Sequence, residues 1–370
     1  MRIVIAPDSF KGSIGAAAAA EALAAGWHAA RPDDTVTRVP LADGGEGTLD
    51  VLAAAVAGAR WHSARVTGPG RQPVDCPWLE LPGGRAVVEL ARASGLPLLP
   101  APDPLGAHTA GLGEVIGHAL DLGAAEIVIT LGGSASTDGG TGALAALGAR
   151  FLDRAGHVLP YGGGALGELV AADLAGLRPP PGGGVSCLAD VTAPLLGPAG
   201  AAAVFGPQKG ADAGQIERLD RGLARLAAVL GGDPGGAGAG AAGGTGYGFA
   251  AAWGALIRPG APELCRIAGL DRALRDADVV ITGEGRYDQT STGGKVAGAV
   301  FAAAAAAGVP AALVAGQLAG GLPPVTAAIS LSDLAGSPAA ALAAPARWLR
   351  LAGQRLAGGA AGDRGGWSSR

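Results

Sequence analysis

The chain has 370 residues, a net charge of −4 and 49% hydrophobic residues, of which aromatics are only 4% of the chain. That length and apolar content support a sizeable core built mainly from Ala, Leu and Val, in two domains or one large one. An acidic balance (pI ≈ 5.7) with no Lys/Arg run on one face excludes nucleic acid as an expected partner. Three cysteines, Cys76, Cys187 and Cys265, lie far apart without a CxxC pair, which points to buried thiols in a reducing cytoplasm and away from a disulfide frame or zinc site. The first residues carry no positive leader with a long apolar region, and the Ala-rich run 299–307 ends at Gly308-Val309-Pro310, so neither export nor a membrane span is expected.

Residues 1–6 read as an apolar strand, followed by the polar turn Asp8-Ser9-Phe10-Lys11-Gly12-Ser13 and an Ala-rich helix over 14–30 with Ser13 as its N-cap. A second strand over 36–40 runs into Asp43-Gly44-Gly45-Glu46-Gly47-Thr48 and another helix. This alternation predicts a parallel sheet covered by helices. Short β-type runs at 61–66, 74–81 and 85–90, separated by Gly/Pro turns, predict an antiparallel meander. A helix over 112–122, a strand over 126–131 and a helix over 142–149 follow, then a short strand at 186–189. Residues 211–230 form an amphipathic helix with Ile216, Leu219, Leu223, Leu226 and Leu230 on one side. The Gly/Ala-rich stretch 231–248 fits a flexible linker or an active-site loop equally well.

The α/β rhythm then returns: a strand over 278–282, a polar loop, a helix over 296–307, strands at 311–315 and 327–330, and a last helix over 339–356 interrupted at Pro345. The expected fold is α/β: a Rossmann-like parallel sheet domain (1–60 plus 265–357) with a second α/β domain (61–264) inserted and the active-site cleft between them. The Gly-rich tail 358–370 is expected to be disordered.

Several strands feed loops of Gly, Ser, Thr and Asp, and ligands of open α/β sheets bind beyond the C-terminal ends of strands. In the loop 132–141, Gly132 and Gly133 let backbone N–H groups approach an anion, and Ser134, Ser136 and Thr137 offer hydroxyls to phosphate oxygens. Asp138 in the same loop is a candidate magnesium ligand, as is Asp190 at a strand end beside Thr192. The loop lacks the GK[ST] ending of a P-loop. Asp43 before two glycines points to a metal or substrate role. Arg286, between Glu284 and Asp288, can neutralise phosphate or clamp a carboxylate; Lys295, Lys11 and Lys209 offer further cations. The five histidines show no metal spacing, and no GxGxxG follows the first strand, which disfavours a dinucleotide-dependent oxidoreductase.

In chain order, the strings APDSFKGS (6–13), LADGGEGT (41–48), ITLGGSASTDGG (129–140), DVTAPLLGPAGAAAVFGPQKGA (190–211), GAGAAGGTGYG (238–248) and VITGEGRYD (280–288) resemble the bacterial glycerate kinase family of the 2-phosphoglycerate-forming type. The resemblance spans about residues 1–350. Two strings depart from the family's pattern: its CDVTNPL reads ADVTAPL at 189–195, and after the Arg this chain reads Asp288-Gln289-Thr290. The resemblance implies ATP-dependent phosphorylation of D-glycerate with Mg²⁺; a kinase of a related hydroxy acid and a silent metabolite-binding regulator are the alternatives. On this reading the 132–141 loop and Lys209 hold ATP phosphates, and Asp138 or Asp190 binds the metal. Lys11, Ser9, Arg286, Glu284 and Asp288 address the substrate or the moving phosphoryl group, and Asp43 orients or deprotonates the attacking hydroxyl. An oligomer is compatible with the sequence, which does not specify one.

Overall fold

A computed structural model of the chain describes residues 1–292, 295–321 and 325–362. It divides into two compact units: Met1–Asp43 and Asp50–Ala57 with the described residues from Gly260 on, and Gly44–Leu49 with Gly58–Pro259. The first unit opens with β1 (Arg2–Ile5) and β2 (Thr35–Arg38). The second contains β3 (Arg60–Thr67), β4 (Pro73–Leu81), β5 (Arg85–Glu89), β6 (Glu126–Thr130), β7 (Arg150–Leu152), β8 (Ala171–Asp173), β9 (Val185–Ala189) and β10 (Leu256–Pro259). The chain returns to the first unit with β11 (Val279–Tyr287), β12 (Ala311–Leu318) and β13 (Ala327–Ser330).

The sheet of the first unit runs β13-β12-β11-β1-β2, every pair parallel. Alternation along the strands sends side chains to opposite faces. Ile3, Ile5, Val279, Ile281, Ala312 and Val314 pack with the helices Ala16–Ala30 and Pro345–Gly362, while Leu313 and Ala315 join Ala297 of the helix Val296–Ala307. Counted along the unit, the strand order is 2-1-3-4-5. This is a doubly wound sheet whose connections diverge between β1 and β11, the place where such sheets open a crevice at their carboxyl ends.

The second unit has a mixed sheet, β10-β9-β6-β5-β4-β3. Its first four strands are parallel, and β5-β4-β3 is the expected antiparallel meander. The core joins Ile127 and Ile129 of β6 and Cys187 of β9 to Leu223 and Leu226 of the helix Ala213–Leu230. That helix is closed at its start by a capping box between Asp212 and Gln215.

Four local expectations change. Ser13 is not the N-cap of the first helix: Phe10 and Ile14 close a tight turn, and the helix begins after Gly15, which makes no side-chain cap bond. Residues 283–287 are not a loop, because β12 runs on to Leu318 and offers backbone partners to Glu284, Arg286 and Tyr287. The stretch 231–248 is not a free linker: residues 239–249 are buried apart from half-buried Ala242, and most belong to the helix Ala241–Trp253. Of the tail 358–370, residues 358–362 continue the last helix and the rest lie outside the described residues.

Candidate active site

In the first unit, the chain stays paired with β11 beyond the end of β1. Ala6 N–H donates to the Ile281 carbonyl and Asp8 N–H to that of Gly283, both at 2.8 Å. The following residues lie flat on β11 because Gly285 has no side chain; a Cβ there would stand 3.2 Å from the Lys11 backbone nitrogen. Leu41 N–H donates to the Pro7 carbonyl at 3.0 Å, which brings the Asp43 segment alongside. The result is a cavity of about 340 Å³ at the divergence between β1 and β11. Ser9, Lys11, Asp43, Glu284, Arg286 and Asp288, all singled out from the sequence, line it, and so does Lys295.

Among the lining carboxylates, sequence reasoning passed over Asp8. Its carboxylate accepts the Ser9 N–H at 2.6 Å. Burial, the Asp43 charge and, more weakly, the Glu284 charge hold its proton more tightly, while the Ser9 N–H and Lys11 oppose them; the balance pushes its pKa up to about 7. Glu284 is only 7% exposed and its Oε1 has no hydrogen-bond partner. Burial also raises its proton affinity, against the Ser291 hydroxyl and the Lys295 charge. A buried carboxyl oxygen without a partner, facing a cavity, costs free energy until a ligand hydroxyl supplies one. Arg286 stands 3.6 Å from Asp288 with its side chain 63% exposed, free to turn toward an anion.

In the second unit the parallel strands place the loops after β6 and β9 at one sheet edge, with Asp190 exposed just beyond β9. The Gly44–Leu49 segment packs here: a Cβ on Gly132 would stand 2.9 Å from the Gly45 Cα, and Gly47 N–H donates to Glu89 Oε1 at 2.7 Å. The 132–141 loop departs from the expected phosphate cradle. Gly132 and Gly133 are accessible, but Ser134 is nearly buried, and Ser136, Thr137 and Asp138 are fully buried. The Ser134 hydroxyl is used inside the loop, donating to the Ser136 carbonyl at 3.2 Å.

Asp138, read from the sequence as a metal ligand, is buried and braces the loop. Its Oδ2 accepts from Thr109 N–H at 2.9 Å, Thr109 Oγ1 at 2.8 Å and Gly142 N–H at 3.2 Å, and Oδ1 accepts from Gly140 N–H at 3.1 Å. All four bonds hold the carboxylate inside the loop, with no exposed surface. Lys209, 2% exposed, donates to the Ser136 carbonyl and points into the same brace rather than outward. Burial pulls its pKa down to about 8 against the Asp138 charge.

The 238–248 glycines clamp this loop. Gly243 has φ 64°, and a Cβ on it would lie 2.1 Å from the Ser136 carbonyl oxygen. Gly243→Ala is therefore expected to cost about 2 kcal/mol or more, read as a lowered thermal midpoint. An unchanged midpoint would show that the clamp yields freely.

Among the described residues, no group of three or more His, Cys, Asp or Glu side chains is placed to hold a metal ion, and no helix is long and apolar enough to cross a membrane.

A doubly wound parallel sheet whose divergence point gathers acids and cations around a cavity defines an α/β enzyme for small, charged substrates. The chain belongs to the glycerate kinase family, whose model matches residues 3–359. It is 44% identical over 308 residues to the glycerate 2-kinase of Escherichia coli (strain K12), covering 80% of each chain. It is 42% identical over 329 residues to a glycerate kinase of Bacillus subtilis (strain 168), covering 86% of this chain and 85% of the relative. A crystal structure described as glycerate kinase 2 from Salmonella typhimurium LT2 superposes with a TM-score of 0.87 at 39% identity, covering 97% of both chains.

Proposed function

We propose that the chain transfers the γ-phosphoryl group of ATP to a hydroxyl of D-glycerate, forming 2-phosphoglycerate. The observation that carries this reading is the gathering of Ser9, Lys11, Asp43, Glu284, Arg286 and Asp288 on one cavity, within a chain of this family. The position of transfer follows the E. coli relative, which is named a glycerate 2-kinase.

Lys11 and Arg286 are assigned to the glycerate carboxylate, where a guanidinium offers two parallel donors. Ser9 and Glu284 are assigned to the hydroxyls, Glu284 gaining the partner its buried oxygen lacks. Asp8 takes the proton of the attacking hydroxyl, and burial with the neighbouring Asp43 charge holds Asp8 at the proton affinity that step needs. As the new O–P bond forms, the bond from the γ-phosphorus to the β,γ-bridging oxygen breaks. ADP leaves, and Asp8 passes its proton to solvent. Kinase chemistry of this kind asks the protein mainly for positioning and charge.

Magnesium in kinase sites is held by one or two carboxylates plus the substrate's own phosphates, so it needs no three-residue cage. Asp190, exposed at its strand end, is the residue assigned to it, and the ion would supply charge neutralisation on the phosphates.

The test is an ADP-release assay over a panel of hydroxy acids, with the product position read by NMR. D-Glycerate should give the highest kcat/KM, with phosphate on the 2-hydroxyl. A different preferred acid, or a 3-phosphorylated product, would overturn the assignment. Arg286→Gln, at an exposed position, is expected to raise the glycerate KM by about 10–100-fold with a smaller change in kcat, the loss of one charged hydrogen-bonding partner. A fall in kcat alone would move Arg286 to the transferring phosphoryl group.

A further inference from the structure

A three-carbon acid uses only part of the cavity. Pockets of ~300–1,000 Å³ are the size that encloses drug-sized ligands, and this one, at about 340 Å³, has a second kind of wall. Leu331, Pro338, Ala341, Leu342 and Pro345 line it, none of them able to bind a carboxylate or a hydroxyl. Leu331 and Ala341 are buried, whereas Leu342 is 57% exposed, a large apolar side chain left in water at the rim. Gln317, half-buried at the end of β12, adds a neutral amide that can both donate and accept.

We infer that this apolar wall is the seat of the adenine base of ATP, so that the nucleotide binds in the first unit. Leu331 directly follows β13, Pro338, Ala341 and Leu342 stand on the helix Pro338–Ala343, and Pro345 opens the last helix. The cavity they share with the ends of β11 and β12 lies at the carboxyl edge where doubly wound sheets hold nucleotides. The wall belongs to the same cavity as Lys295, a cation that the glycerate assignment leaves for a polyphosphate. A flat purine buries apolar area against Leu342 and Ala341, and its polar edge can meet the Gln317 amide. The loop after β6, which the sequence offered for the phosphates, has committed its Ser134 hydroxyl and the Asp138 carboxylate to internal bonds. The inference rests on the reading of the chain as an ATP-dependent kinase.

The experiment is calorimetric titration of the full chain with ADP, on wild type, Leu342→Asp and Leu342→Met, with the glycerate KM measured alongside. Leu342 is exposed, so neither change disturbs the core. Leu342→Asp is expected to raise the ADP Kd by about tenfold or more, through lost apolar contact and a new charge near the phosphates. Leu342→Met should restore binding to within about threefold of wild type, and the glycerate KM should stay constant. An ADP Kd unmoved by Leu342→Asp, or no ADP binding to wild type, overturns the seat. ADP binding that responds to Leu342 in a wild-type chain that releases no ADP with glycerate keeps the seat and sinks the kinase reading instead.

Discussion

Asp8→Asn is expected to lower kcat by about 10²–10⁴-fold, the range for loss of a positioned proton acceptor, while leaving glycerate binding nearly intact. The amide keeps the shape of the carboxyl and the neighbouring charges but cannot take the hydroxyl proton. Burial beside Asp43 and Glu284 sets the Asp8 pKa at about 7, so the wild-type rate should climb as pH rises through that value and level off above it. The variant should lose that limb. Stability moves the other way. The folded value lies above the unfolded value of 3.8, so the folded chain binds this proton more tightly, and the stability it lends is present below pH 4 and lost as pH rises through about 7. Asn imitates the protonated form, and at pH 8 the variant's midpoint should stand above wild type, on the order of 1 °C for each kcal/mol relieved. A variant that is less active and also less stable at pH 8 would mark Asp8 as a structural residue. One that keeps its kcat and acid limb would return the role to Asp43.

This site was half legible in the sequence. Ser9, Lys11, Asp43, Glu284, Arg286 and Asp288 could be chosen because residue types that bind anions and hydroxyls stood in Gly-rich segments after apolar runs. Asp8 stood among them and was passed over, since its distinguishing property is a proton affinity created first by burial and then by Asp43 and Glu284, which meet it only on the folded sheet. The main strands and helices were readable from periodicity, and the helix Val296–Ala307 was read with its observed bounds because a long Ala run ends at Gly308. β7, β8 and β10 are three or four residues long, too short for alternation to register. The stretch 231–248 misled for a different reason. Glycine signals flexibility in composition, but Gly243 is there so that two backbones can touch.

The same ambiguity governs the loop after β6, where a phosphate cradle and a buried brace use identical residue types. Asp138→Asn separates the two. Asn keeps one acceptor oxygen and turns the other position into a donor facing N–H groups, so part of the bonding to Thr109, Gly140 and Gly142 must break in a fully buried place. It also removes the charge that offsets the buried Lys209 ammonium. Breaking a buried network of this kind costs about 3–5 kcal/mol, which for a chain of this size lowers the midpoint by on the order of 5 °C. Lys209 should then give up its proton more readily, since burial would act on it with less opposition. In the fraction that folds, the Mg²⁺ concentration for half-maximal activity should match wild type, because the carboxylate has no open side from which to reach a cation. A stable variant with a strongly raised Mg²⁺ requirement would restore Asp138 as a metal ligand and would mean that the loop opens in the working enzyme.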